Sequence, residues 1–109
     1  MVSVYVAPTP SLVAATPAGA PAIAAEFEAH EEIAKDLARQ AAEMADELGI
    51  AVTFISASGD AYHEILRVAA ETRADAIVVG ASAKAGHKLV GSLAVRLVRA
   101  SRWPVTVVP

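Results

Sequence analysis

The sequence predicts an α/β fold: a layered parallel sheet of four strands. Three observations carry that prediction. The first is the alternation of short β-branched runs with longer helix-like stretches, which reads βαβαβαβ. The second is that two of the runs, Ala76-Ile77-Val78-Val79-Gly80 and Val105-Thr106-Val107-Val108, are apolar at nearly consecutive positions. Such runs fit strands covered on both faces, as parallel strands are. The third is that these two runs are separated by an amphipathic stretch, and a parallel pair needs a crossover helix to join it.

The elements follow in order. Val2-Ser3-Val4-Tyr5-Val6 is the first strand. Residues Ala7–Pro21 form a Pro/Ala/Thr-rich connection holding Pro8, Pro10, Pro17 and Pro21, and a loop of that length inside a small domain is a functional or a mobile one. Ala22–Gly49 spans the longest helix, with Ile23, Phe27, Ile33, Leu37, Ala41, Met44 and Leu48 marking its inward face. Glu31, Lys35, Glu43 and Glu47 lie on the outer surface, and Gly49 stops the helix. Ile50–Ile55 is the second strand, and Ser58-Gly59-Asp60 is a turn in which Asp60 caps the next helix. Tyr62–Arg73 is that helix, with Ile65, Leu66, Ala69 and Ala70 inward. The third strand ends at Gly80. Gly91-Ser92 opens the last helix, with Leu93, Leu97 and Val98 on one side. Pro104 precedes the last strand. Val78, Val79, Val105 and Val107 are expected among the most buried side chains.

Composition bounds the class. The chain has 109 residues, 55% of them hydrophobic, which suits one small domain over residues 1–109 with a single core. Alanine fills 26 positions, and it favours helices that sit close to a sheet. There is no cysteine, which excludes disulfides, thiolate catalysis and Cys-ligated zinc or iron–sulfur centres. No run is long enough to span a membrane. Met1–Ala20 is apolar but lacks a basic start and is broken by Pro8, Thr9, Pro10 and Ser11, so it reads as mature sequence.

The net charge of −3 conceals an asymmetry. Residues 1–75 hold 4 basic and 12 acidic side chains, and residues 76–109 hold 5 basic and none acidic. A positive field surrounds the loop from Gly80 to Ser92 and favours an anion there. Lys84 and Lys88 are in that loop. Arg96, Arg99 and Arg102 have a plainer role available, as cations near a helix C-terminus.

The chemistry on offer is limited. In an open parallel sheet, ligands bind beyond the carboxyl ends of the strands, where the strand order reverses. That places Gly80, Ala81 and Ser82 on one wall and the Gly91, Ser92 and Leu93 amides at a helix N-terminus that suits a phosphate. The plain alternative is Gly80 as a strand-ending turn and Ser92 as an N-cap. His30, His63 and His87 show no metal-ligand spacing. Glu31-Glu32 reads as a solvated face. No Ser/His/Asp set or paired carboxylates stand out, so no catalytic residue and no metal site are expected. Trp103 reads as a packing or interface aromatic.

The motif SGDAYHEILRVAAETRADAIVVGAS and the closing PVTVVP resemble the universal stress protein (UspA-like) family. That family carries G-x2-G-x9-G-[S/T] before its last helix. Gly80 matches the first glycine, and Gly91-Ser92 match the last glycine and hydroxyl. Ala83 stands where the second glycine belongs, and the loop is two residues shorter than the pattern, with Gly86 off the family position. The resemblance implies a Rossmann-like fold of the adenine nucleotide alpha hydrolase type, a three-layer, doubly wound sheet; with residue 1 at the family's second strand, either this chain's four strands close up in order 2-1-3-4 or another chain supplies what is missing. It further implies a cytoplasmic, stress-associated binding or regulatory module rather than an enzyme. ATP is the implied ligand, at a degenerate site of Gly80, Ala81, Ser82, Lys84, Lys88, Gly91, Ser92 and Leu93. A homodimer through Val105, Thr106, Val107 and Val108 is implied, with an unidentified protein partner also open, and neither nucleic acid nor membrane. The alternatives are a ligand-free dimerisation module and a nucleotide hydrolase on the same fold. The family opens on a strand with a D-G-S-like motif and a helix, and the resemblance places residue 1 at the family's second strand.

Overall fold

A computed structural model describes residues 1–8, 20–80 and 91–109. The element order is β1 (Val2–Ala7), α1 (Ala20–Leu48), β2 (Thr53–Ser58), α2 (Ala61–Glu71), β3 (Ile77–Gly80), α3 (Ser92–Ala100) and β4 (Val105–Val108). This is the βαβαβαβ order read from the sequence. The chain falls into two compact units, Met1–Asp60 and Ala61–Pro109. Each carries one pair of parallel strands.

In the first unit, β1 and β2 run in register from Val2↔Thr53 to Ala7↔Ser58. The second strand therefore starts at Thr53, not Ile50. The cause is the end of α1. Gly49 takes φ 67°, a left-handed conformation that glycine adopts without penalty. The Ile50 amide then donates back to the Ala45 carbonyl at 3.0 Å, and Gly49 donates to Asp46 at 3.3 Å. That bond pair is a Schellman cap. It uses Ile50 to close the helix, so pairing begins only where the Thr53 amide reaches the Met1 carbonyl at 2.9 Å.

α1 starts at Ala20, two residues earlier than the sequence suggests, with Pro21 in its first turn. Proline is tolerated there because that amide has no intrahelical partner. The inward face also differs from the expected one. Ala45 is buried, and Ile23, Glu26, His30, Ala34, Leu37, Ala38 and Ala41 are half-buried. Phe27, Ile33, Met44 and Leu48 are exposed, Met44 and Leu48 at 60% and 67%. The expected face is read from apolar residues recurring at three-, four- and six-residue steps. The observed face keeps Ile23, Leu37 and Ala41 of that set and adds Ala34, Ala38 and Ala45. Tyr5 of β1 reaches α1 to bond His30, and Phe54, in register with Ser3, shares the Tyr5 face. Two rings supplied by the strands leave room for small residues opposite them.

In the second unit, β3 and β4 pair from Ile77↔Val105 to Gly80↔Val108. The core is Ala69 of α2, Ile77 of β3 and Leu97 of α3, with Tyr62, Ile65, Leu66, Ala74, Val79, Leu93, Trp103 and Val105 packed against it. Leu97 is 1% exposed. Both helices thus pack on the face of the sheet that bears Ile77, Val79 and Val105. The opposite face carries Val78, which is 66% exposed, with Thr106 and Val108 also exposed. The expectation that Val78, Val79, Val105 and Val107 are the most buried residues is corrected. Val79, Val105 and Val107 are half-buried, and Val78 points away from both helices. Period two decides this, because neighbours along a strand face opposite sides. In α2 the buried pair is Val68 and Ala69, while Ala70 is exposed. In α3 it is Ala94 and Leu97, while Val98 is exposed.

Trp103 fixes the return into β4. Its indole Nε1 donates to the Ala74 carbonyl at 2.9 Å, which joins the segments leading into β3 and β4. The Ile77 amide donates to the Pro104 carbonyl at 2.9 Å. Trp103 is therefore a packing residue, as one of its two sequence readings has it.

Candidate functional site

The sequence points to the stretch between β3 and α3. Of its candidates, Gly80, Gly91, Ser92 and Leu93 are described, while Ala81, Ser82, Lys84 and Lys88 lie outside the described residues, as do Ala83, Gly86 and His87. Gly80 is the last residue of β3, in register with Val108. A Cβ placed on it meets no described residue within 4 Å.

Gly91 is the N-cap of α3, with extended backbone at φ −61° and ψ 156°. Its carbonyl accepts from the Val95 amide at 3.2 Å, the first bond of the helix. No side chain caps this end. The reading of Ser92 as the N-cap is therefore corrected: Ser92 is the first helical residue, exposed, and Gly91 holds the cap position. A glycine cap has no side-chain oxygen to give the next amides. The first amides of the helix are thus left without the side-chain partner that a Ser, Thr or Asp cap would supply. The first turn holds no acidic residue, so it puts no negative charge of its own at the positive end of the helix dipole. Leu93, the fourth described candidate, turns into the core instead.

The three arginines have separate places. Arg99 alone lies in the last turn of α3, as the dipole argument requires. Arg96 stands mid-helix with its guanidinium 4.2 Å from the centre of the Tyr62 ring, a cation–π contact that ties α3 to α2. Arg102 lies beyond the helix, 5.3 Å from the Trp103 ring centre.

One cluster escaped the sequence reading. The Tyr5 hydroxyl and His30 Nδ1 are 2.8 Å apart, and His30 Nε2 lies 3.8 Å from Glu26 Oε1. With a proton on Nε2 facing the carboxylate, Nδ1 is the acceptor and the Tyr5 hydroxyl donates. The group holds α1 against β1 through a half-buried polar tie. The available signal was the i, i+4 spacing of Glu26 and His30; nothing in the sequence marked Tyr5 as their partner. Among the described residues no cluster of three His, Asp or Glu could hold a metal ion. Nor is any of their helices long and apolar enough to cross a membrane.

No curated protein and no solved structure matches the chain. The family model of the universal stress proteins does, over residues 1–109. The element order, the strand-glycine-helix-strand unit from β3 to β4 and this match agree. The chain belongs to the universal stress protein family.

Proposed function

We propose that this chain is a non-catalytic binding and regulatory module of the cytoplasm, associated with stress, with a weakened adenine-nucleotide site at the start of α3. Membership of the universal stress protein family supports the general role. The observation that carries the site is the glycine-capped N-terminus of α3, which carries no acidic group and follows a strand that ends in glycine. Backbone amides there suit a phosphate. Ser92 adds a hydroxyl, and Lys84 and Lys88 add charge from the intervening sequence. Gly80, Ala81, Ser82, Gly91 and the backbone amide of Leu93 complete the proposed lining. Ala83 in place of the second glycine, together with the shortened loop, weakens the fit. The fold that accompanies this reading is one three-layer domain with strand order 2-1-3-4. The parallel pairs β1–β2 and β3–β4 are two of the three neighbour pairs in that order.

Calorimetric titration with ATP tests the site. Binding weaker than about 100 μM, a free energy of about −5.5 kcal/mol or less in magnitude, is the expected result, and Gly91→Val and Ser92→Ala should weaken it further. A low-micromolar constant contradicts the degenerate site. Release of phosphate from ATP with magnesium contradicts the absence of catalysis and favours the hydrolase reading.

The same proposal includes a homodimer through Val105, Thr106, Val107 and Val108. Among the described residues β4 pairs with β3 alone, and an unpaired apolar edge is a template for another strand. Light scattering checks this: the wild type should have twice the chain mass, and Thr106→Pro should be a folded monomer. A monomeric wild type ends the dimer, and a dimeric Thr106→Pro moves it off β4.

A further inference from the structure

Two helix faces on this chain are exposed, apolar and of opposite charge. On α1, Met44 and Leu48 are 60% and 67% exposed. They lie one turn apart on one side of the helix. Glu47 adjoins them, and Glu43 lies on the solvent side of the same stretch. The whole of α1 holds eight acidic and two basic residues. One of the two, Arg39, is already committed to Asp36 and Glu43. On α3, Val95 and Val98 are 36% and 53% exposed, also about one turn apart. Arg99, exposed and one turn on from Val95, borders this face, and Arg102 follows the helix. From Ser92 to Trp103 there are three basic residues and no acidic one.

We infer that the Val95–Val98 face of α3 docks on the Met44–Leu48 face of α1 in a second copy of this chain. The valines are three residues apart and Met44 and Leu48 four, each about one helical turn, so one short ridge can lie against the other. Arg99 and Arg102 then meet Glu43 and Glu47 around the apolar contact, which sets the orientation. Charge complementarity selects the occupant: residues 1–60 carry two basic and nine acidic side chains, and residues 61–109 carry seven basic and three acidic ones. The contact joins two different surfaces, so it is heterologous and extends to a ring or a chain of copies. A nine-residue helix is about 13 Å long. It therefore buries far less than the roughly 800 Å² per partner of a standard stable interface. The association is weak and salt-sensitive.

Sedimentation equilibrium of the full chain, from micromolar to millimolar protein, tests it. In about 0.02 M salt the average mass should rise about twofold over that range, and in about 0.5 M salt the rise should vanish, because the shorter screening length removes the rim attraction. Val98→Asp blocks the α3 face and Met44→Asp blocks the α1 face. Both positions are exposed, and far-UV circular dichroism checks that both variants fold. Neither variant should grow alone, and growth should return when the two are mixed, because each still carries the face the other lacks. The base mass at high salt reports any other dimer separately. A wild-type mass that ignores salt overturns the inference. So does a mixture that stays at the base mass. Growth of Met44→Asp alone, with Val98→Asp inert, also overturns it, because the α3 face then takes a different occupant.

Discussion

The two units of the chain bury themselves in different ways. In Ala61–Pro109 short helices bring large side chains inward: Leu97 and Val68 are buried, and Ile77 meets Leu97 from the sheet. In Met1–Asp60 the helix is three times as long, yet Ala45 is its one buried residue among those described. Half of its inward stripe is alanine, and its polar tie is Tyr5–His30. Length of helix therefore does not measure its share of the core. A stripe of alanines allows close approach but removes little apolar area, whereas one well-placed leucine removes much. The second unit should hold the side chains whose loss matters most.

Four substitutions break or sharpen that contrast. Leu97→Ala has the largest expected effect, a loss of about 2–5 kcal/mol from transfer and cavity terms. The urea midpoint reads it, and a loss below about 1 kcal/mol would move the weight of the core elsewhere. Next comes a pair on one strand. Val79→Ala should cost about 1–2 kcal/mol, since Val79 packs on the core. Val78→Ala should stay within about 0.5 kcal/mol, because Val78 is largely exposed. Equal costs for the two would mean that both faces of β3 are covered. In the first unit, Tyr5→Phe removes the hydroxyl from His30 and should cost about 0.5–1.5 kcal/mol. Hydrogen exchange of the β1 amides should rise with it, and unchanged exchange would show that the tie does not hold the strand.

The smallest effect concerns acid. The hydrogen bond from Arg39, and next that from Gln40, holds the Asp36 carboxyl below its ordinary value. A depressed folded-state value contributes stability above the ordinary carboxylate range, and that contribution is lost as pH falls through the folded-state value. Asp36→Asn should therefore lower the urea midpoint slightly at neutral pH and not at all in strong acid. A difference that persists in strong acid would mean that the carboxylate charge is not the cause.

The family block was legible because its signals are local. Gly49 ending α1, the turn at Gly59, the apolar run into Gly80 and Gly91-Ser92 opening α3 depend on backbone preferences within a few residues. The N-cap was misassigned by one position, since a glycine cap and a serine cap read alike before the helix start is fixed. The candidate site was legible only as a motif. Gly80, Gly91 and Ser92 could be placed by spacing, but the inward turn of Leu93 and the committed ring contact of Arg96 with Tyr62 could not.

By itself the sequence determined the element order, the parallel crossovers, the charge asymmetry and the family. These follow from period, punctuation and composition, which act over short distances along the chain. Only the tertiary structure decided which face of each element is buried. Val78 and Val79 are the same residue type at adjacent positions, and pairing with β4 and the position of α2 and α3 separate them. Met44 and Ala45 differ in the opposite sense, the larger one outside and the smaller one buried. Tyr5 and His30, 25 positions apart, meet at 2.8 Å. Such outcomes depend on the shape of what lies opposite, and burial is a property of that pair of surfaces rather than of either residue alone.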